Sequence, residues 1–488
     1  MRRSIAIIIL VFSVACSGEY SYNSLKISTH TKEIVSKIST LNVLAGRAVG
    51  EGGIRPEEYD NFIELKNKAT NAELTELTDH PNGVVRCYAF WALSYDTTAN
   101  LLPIVIRHLN DTIQVRTQFG CIGRTEDVGD IFIDIAQQSY DLDSKKLTLE
   151  ESEYLDSVLI YTSNRLYAKE RAIKRGKLTA RFYGRVKELM LKDGNQSALI
   201  ALAKFRRKED IPLILKNSRI EQRNGLFNTY KAIGEFPDPA FRPLLQESLH
   251  DVLVKASWDS ESAEMYNAIA SFKDDTAYRQ LEKPFKKITD SNIRKHHIAF
   301  VFNAIRKHYS PVYNDLLWEI WENEMMISPD VFSLLYKQQP QKAFQVTKKT
   351  IQNIELYYLN QIVDYDNYEK KPVNLMDVML DTLIAHDRTM VVKMIYKNIK
   401  DINAPLYNLY ADKVLALRDD SCVKALLSRL EIESSPYAYL KIAEVLVAFG
   451  DENMKREIVE ISKRNVQMKQ EWAREDFAKL LNGHNIKY

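Results

Sequence analysis

Residues 79–93, DHPNGVVRCYAFWAL, and residues 111–123, DTIQVRTQFGCIG, decide how the chain is read. Each places an Asp a few residues ahead of a Val-Arg pair, Asp79 before Val85-Arg86 and Asp111 before Val115-Arg116, and then runs into apolar residues. His80-Pro81-Asn82-Gly83 reads as a turn, with Asn82 as the cap of the helix that follows. The second stretch is expected to be an echo of the first, with Arg116 and Cys121 on a helix. A shortened copy follows at Asp290 with Ile293-Arg294.

Working outward, an apolar pair ahead of a turn recurs at Ala92-Leu93, Ala201-Leu202, Ala232-Ile233, Ala268-Ile269, Ala304-Ile305, Leu334-Leu335, Leu383-Ile384, Val414-Leu415 and Val445-Leu446. From Leu202 the steps are 31, 36, 36, 30, 49, 31 and 31 residues. Turn signals such as Asp96, Pro237-Asp238, Asp274-Asp275, Pro311, Pro340, Asp387, Asp419-Asp420 and Asp451 come after most of them, and another amphipathic stretch comes next. One helix pair of this length cannot bury both its faces, so neighbouring pairs must stack. The expected fold is all-α, an α-solenoid.

With this period and the Asp…Val-Arg pattern, the chain resembles HEAT repeats, including the short kind of phycobilisome-lyase-like proteins, over roughly residues 57–470. In that family Asp and Arg pair between neighbouring repeats. The resemblance therefore implies a repeat-stabilising role for Asp79, Arg86, Asp111 and Arg116, and Arg suits such fixed, forked pairing better than Lys. Tetratricopeptide repeats share the period, but their Trp, Leu-Gly and Tyr pattern does not recur. The His-Glu pairs that ligate iron in the di-iron hydroxylases of the HEAT-like group are absent from this sequence.

Composition agrees with an ordered helical chain. Of 488 residues 45% are hydrophobic and 27% charged, and only 16 Gly and 14 Pro occur, too few for a turn-rich all-β protein. The 67 basic and 65 acidic residues give no bias towards nucleic acid. The four cysteines, Cys16, Cys87, Cys121 and Cys422, form no CxxC and no cluster, so neither a zinc site nor a disulfide scaffold is expected. Cys87 and Cys121 read as small buried hydrophobes in helical runs. A disulfide between them is the alternative in an oxidising compartment.

MRRSIAIIILVFSVAC has the form of a secretory signal, too short for a stable membrane span. The small residues ahead of Cys16 look like a bacterial lipoprotein signal, although Ser13 stands where that signal usually has Leu, Val or Ile. The resemblance implies acylation of Cys16, and Ser17 after it resembles outer-membrane lipoproteins. Plain secretion is the other reading.

The expected organisation is a signal peptide (1–15), a tether with the Gly-rich hinge GRAVGEGG (16–55), N-terminal repeats (56–137), a charged helical connector (138–192), central repeats (193–353), a Tyr-rich insertion (354–375) and C-terminal repeats (376–488). GRAVGEGG lacks the Gly-Lys-Ser/Thr ending of a phosphate loop. Binding candidates are the basic run with Arg171, Lys174, Arg175, Arg181 and Arg185, extended by Arg206, Arg207 and Lys208, and the cluster Tyr357, Tyr358, Tyr365 and Tyr368. Against the first stands a solvated face neutralised by the acidic run Asp141–Asp156. Against the second stands chance among 26 Tyr. Trp318 and Trp321 read as repeat core. His296 and His297 are adjacent, face different ways on a helix and cannot chelate together. No HExxH or GxSxG occurs, and no catalytic residue, metal or cofactor is nominated.

The expectation is a lipid-anchored envelope protein that uses its solenoid surface as a scaffold for a protein partner. The alternatives are an enzyme or accessory lyase acting on an envelope glycan or a tetrapyrrole, and a glycan- or anionic-lipid-binding module.

Overall fold

The computed structural model describes residues 21–50, 53–137, 144–221, 226–255, 258–353, 375–400, 404–450, 452–469 and 471–486. Cys16 and the signal segment, and Tyr357, Tyr358, Tyr365 and Tyr368, lie outside these residues. The described fold is mostly α with one small three-stranded sheet, and the chain divides into two compact units at Ile220/Glu221.

The first unit is built around a helix with no wet face. Its elements are α1 (Thr29–Leu41), β1 (Leu44–Val49), α2 (Glu57–Lys68), α3 (Asn71–Leu77), α4 (Gly83–Leu93), α5 (Leu101–Arg107), β2 (Gln114–Gly120), β3 (Ile122–Asp127), α6 (Val128–Gln137), α7 (Leu149–Tyr161), α8 (Ala168–Arg175), α9 (Ala180–Asp193) and α10 (Gln196–Ala203). Every residue of α4 is buried, as an apolar sequence on all sides requires. Asn82 caps it, accepting from the N–H groups of Val84 (2.9 Å) and Val85 (3.1 Å). Around it pack α1, α2, α3, α6, β1 and β2. Phe62 stacks on Trp91 at 4.4 Å, and Phe90 on Phe132 at 4.3 Å. The Tyr88 hydroxyl donates back to the Ala45 carbonyl and accepts from the Ala45 N–H at 2.8 Å, which fixes β1 to the core helix.

Two expectations for this unit are corrected. The stretch 111–123 is not a helical echo of 79–93 but the start of a β-hairpin, so the fold is not all-α. Val115 and Thr117 point into the core while Gln114 and Arg116 face solvent, a period of two that the Val-Arg match concealed. Gly120 turns the chain at φ +56°, and β2 pairs antiparallel with β3 from Gln114↔Asp127 to Phe119↔Ile122. Arg116 is exposed on a strand and Cys121 is exposed in the turn. Cys87 is buried in α4, and both thiols are free.

The segment 16–55 is likewise not a tether and hinge throughout. It holds α1, and β1 runs through Gly46 to pair in parallel with β2 at Leu44↔Thr117 and Ala45↔Gln118. Gly46 is needed for close packing: a Cβ there would stand 2.7 Å from the Phe119 ring.

Glu73 ties α3 to α1. Its carboxylate accepts from the Thr70 N–H and the Ser28 N–H, each at 2.9 Å, while the Thr70 hydroxyl accepts from the Glu73 N–H, a capping box. Burial alone would raise its pKa, but the hydrogen bonds from Thr70 and Ser28 outweigh burial and hold it at about 2, below the usual 4.5. A folded pKa below the unfolded one gives stability that is complete above about pH 4.5 and drains away as pH falls towards 2. Glu73→Gln is expected to cost roughly 1–3 kcal/mol at neutral pH and to remove most of that acid dependence. Thermal melts of both proteins at neutral pH and near pH 3 check it; parallel pH profiles would refute it.

In the second unit helices follow one another with short turns. The turn residues read from sequence stand at helix starts. Asp274 caps Asp275–Leu281, Asp290 caps Ser291–Lys307, and Pro340 opens Pro340–Gln352. Asp387 breaks Leu375–Ile399 with non-helical angles, its carboxylate accepting from the Met390 N–H. Packing skips one or two helices: Phe227–Glu235 touches Ser260–Ala270, which touches Ser291–Lys307. Near the C-terminus Ala404–Leu417 touches Pro436–Phe449, which touches Glu471–Gly483. Polar contacts recur in step: Lys413 pairs with Asp381 at 2.7 Å and Lys441 with Asp412 at 2.8 Å. The guanidinium of Arg388 donates to the Leu417 carbonyl and that of Arg418 to the Ala448 carbonyl. Trp318 and Trp321 are buried and stacked at 5.6 Å.

Candidate functional site

The hairpin that replaces the expected helix forms one wall of a cleft of about 730 Å³ in the first unit. β2 and β3 supply Thr117, Phe119, Ile122, Arg124 and Glu126. The opposite wall is α6 with Asp130 and Asp134, the turn into α8 with Arg165 and Tyr167, and α8 itself with Arg171. Gly129 seats α6, since a Cβ there would come within 2.6 Å of the His108 carbonyl.

Three of the four carboxylates on the inner wall, Asp130, Asp134 and Glu126, are engaged. Asp130 accepts from the backbone N–H groups of Tyr167 (2.9 Å) and Ala168 (2.7 Å), closing the start of α8. Burial nevertheless raises its pKa, against the pull of those donors. Asp134 pairs with Arg171, and burial raises its pKa despite the guanidinium. Asp127 is raised by burial and by the neighbouring Asp130 and Asp111. Glu126 accepts from the Thr117 hydroxyl at 2.8 Å. A general acid or base must present its carboxyl to the substrate, whereas Asp130, Asp134 and Glu126 hold a helix start, an arginine and a pair of strands in place. At the rim Arg124, Arg165 and Tyr167 are exposed, and neither arginine has an ion-pair partner among the described residues.

The sequence-derived basic run does not form an open positive strip. Arg171 pairs with Asp134, and Arg175 with Asp156 through two bonds of 2.8 and 2.7 Å. Arg185 bonds Glu188 and the Ile160 carbonyl, each at 2.8 Å. Arg181 lies over the Tyr161 ring at 4.3 Å, and Lys174 is exposed. Lys177 meets Glu153 at 2.9 Å. The acidic segment upstream supplies Glu153 and Asp156 and neutralises much of the run, on the walls of a second cleft of about 590 Å³.

Of the repeat-stabilising candidates the structure brings three together. Arg86 Nη1 meets Asp111 Oδ2 at 2.8 Å with both side chains buried. His108 bridges Asp111 (Nδ1, 3.0 Å) and Asp79 (Nε2, 3.1 Å), and Arg107 adds a contact to Asp79 at 3.2 Å. Arg116 takes no part, being on the outer face of β2. His296 stacks on Trp258 at 3.9 Å while His297 turns inward to the Tyr266 hydroxyl at 2.9 Å. They point in different directions, as adjacent helical residues must.

Arg171 of the basic run lines this cleft, whereas its carboxylates and the hairpin residues were missed in the sequence. Their one signal was VGDIFIDIA, where Asp130 and Asp134 interrupt an apolar run four residues apart and so share a helix face. Among the described residues no three metal-binding side chains cluster, and no helix is long and apolar enough to cross a membrane.

Comparison with protein families, curated proteins and solved structures gives no match.

Proposed function

We propose that the protein is a lipid-anchored component of a bacterial cell envelope, facing the periplasm or the surface from the outer membrane, whose α-solenoid surface binds a protein partner. The observation that carries this reading is the cleft of the first unit. Of its inner carboxylates Asp130, Asp134 and Glu126 are spent on structure, while its rim offers Arg124, Arg165 and Tyr167 to solvent. Exposed Arg and Tyr beside a concave wall are the residue types that anchor protein interfaces. The solenoid is supported by packing that skips one or two helices in the second unit and by ion pairs recurring at Lys413–Asp381 and Lys441–Asp412. Acylation at Cys16 is supported by the apolar run and small residues before it.

Crosslinking in intact cells with mass spectrometry tests the reading. Arg165→Glu with Tyr167→Ala is expected to reduce the principal crosslinked partner about tenfold, the loss of one or two interface anchors, with helicity unchanged. An undiminished crosslink would move the contact elsewhere. Cys16→Ser is expected to release the protein from the membrane fraction.

A further inference from the structure

β3 is an edge strand. The bond from the Val128 N–H to the Ile113 carbonyl (3.0 Å) and the pairs Val115↔Glu126 and Thr117↔Arg124 set the alternation along it. Glu126, Arg124 and Ile122 turn their backbone N–H and C=O groups to β2, so those of Gly123 and Thr125 point away from it. Among the described residues no strand pairs with that outer edge. Such an edge is a template for another strand unless something covers or repels it.

The residues on β3 say which strand. Its sequence is IGRTED, residues 122–127. Laid antiparallel against itself about Thr125, Thr125 opposes Thr125, Arg124 opposes Glu126 twice over, and Asp127 opposes the small Gly123. Centring on Arg124 would set Arg against Arg, centring on Glu126 would set Glu against Glu, and in-register parallel pairing would align every like charge. Directly opposed opposite charges stabilise a strand pair and like charges weaken it. Arg124 is exposed with no ion-pair partner among the described residues, and the Thr117 hydroxyl orients Glu126. We propose that β3 pairs with β3 of a second copy of this chain, antiparallel about Thr125, joining two three-stranded sheets into one of six strands with reciprocal Arg124–Glu126 ion pairs.

This contact shares Arg124 with the cleft rim but uses neither Arg165 nor Tyr167, and it is read on the purified chain alone. The test uses the full-length protein carrying Cys16→Ser and Cys121→Ser, so that neither thiol can cross-link. Adding Thr125→Cys is expected to give a disulfide-linked dimer under mild oxidation, because opposed residues of a hydrogen-bonded pair have Cα atoms about 5.5 Å apart, within disulfide reach. In sedimentation equilibrium Arg124→Glu and Glu126→Arg, each alone, are expected to weaken the dimer about tenfold, since each turns two attractive oppositions into repulsive ones. The double exchange Arg124→Glu/Glu126→Arg is expected to restore it. Circular dichroism confirms that each variant is folded. A folded protein that stays monomeric at tens of micromolar (about 10–50 μM, well above interfaces of useful affinity) overturns the proposal. So does a dimer that neither single charge reversal weakens, or one that the double exchange fails to rescue.

Discussion

Asp111→Ala is expected to destabilise the first unit by about 3–5 kcal/mol, the cost of breaking a buried ion pair by removing one partner. Arg86 is 1% exposed and sits 2.8 Å from the Asp111 carboxylate, so its charge would be left in the protein interior. His108, wholly buried, would lose the Asp111 contact of its Nδ1 in the same step and keep Asp79 at its Nε2. The double variant Arg86→Met/Asp111→Ala separates the two contributions. Once the guanidinium is gone its charge no longer has to be held in the interior without Asp111, and the double variant is expected to be more stable than Asp111→Ala alone. Urea unfolding followed by Trp fluorescence, with Trp91 in the buried core of this unit, reads the result. A loss below about 1 kcal/mol is what an exposed pair would give, and would mean that water reaches this one.

Trp321→Ala is expected to have an effect of similar size in the second unit, about 3–5 kcal/mol for truncating a fully buried indole. Trp321 stacks on Trp318, meets Phe332 edge-on at 5.6 Å, and donates its ring N–H to the Thr350 hydroxyl at 3.0 Å. Those contacts tie Asn314–Glu324 to Pro329–Gln338 and Pro340–Gln352, so the loss should appear as faster amide exchange across all three helices. Trp321→Phe keeps most of the volume and loses the hydrogen bond, and a smaller effect is expected. Exchange confined to the helix carrying the substitution would show that this ring is not what couples the three.

Residues 79–93 and the second unit were the legible part of the chain. Caps and turns announce themselves through local chemistry: Asn82, Asp274, Asp290 and Asp387 each accept from backbone N–H groups just downstream. The hairpin was illegible for a physical reason. Val115-Arg116 matches Val85-Arg86 letter for letter, but the alternation of Val115 and Thr117 with Gln114, Arg116 and Gln118 belongs to a strand half-covered by α4. β1 was hidden because its partner is β2, some seventy residues away, and pairing at that separation leaves no local mark. The cleft was hidden for the same reason: Thr117, Asp130 and Tyr167 meet only once the hairpin, α6 and the start of α8 are in place. The basic run was legible as charge but not as exposure, because Asp134, Asp156 and Glu188 decide how much of it water sees.

A core helix wet on no side has a consequence for synthesis. GVVRCYAFWAL leaves the ribosome well before α6, which supplies Phe132 against Phe90, so the nascent chain carries an oily rod with its Phe90 face bare until residue 137 is out. A fragment ending before Val128 keeps that one face uncovered and is a natural client for a holdase.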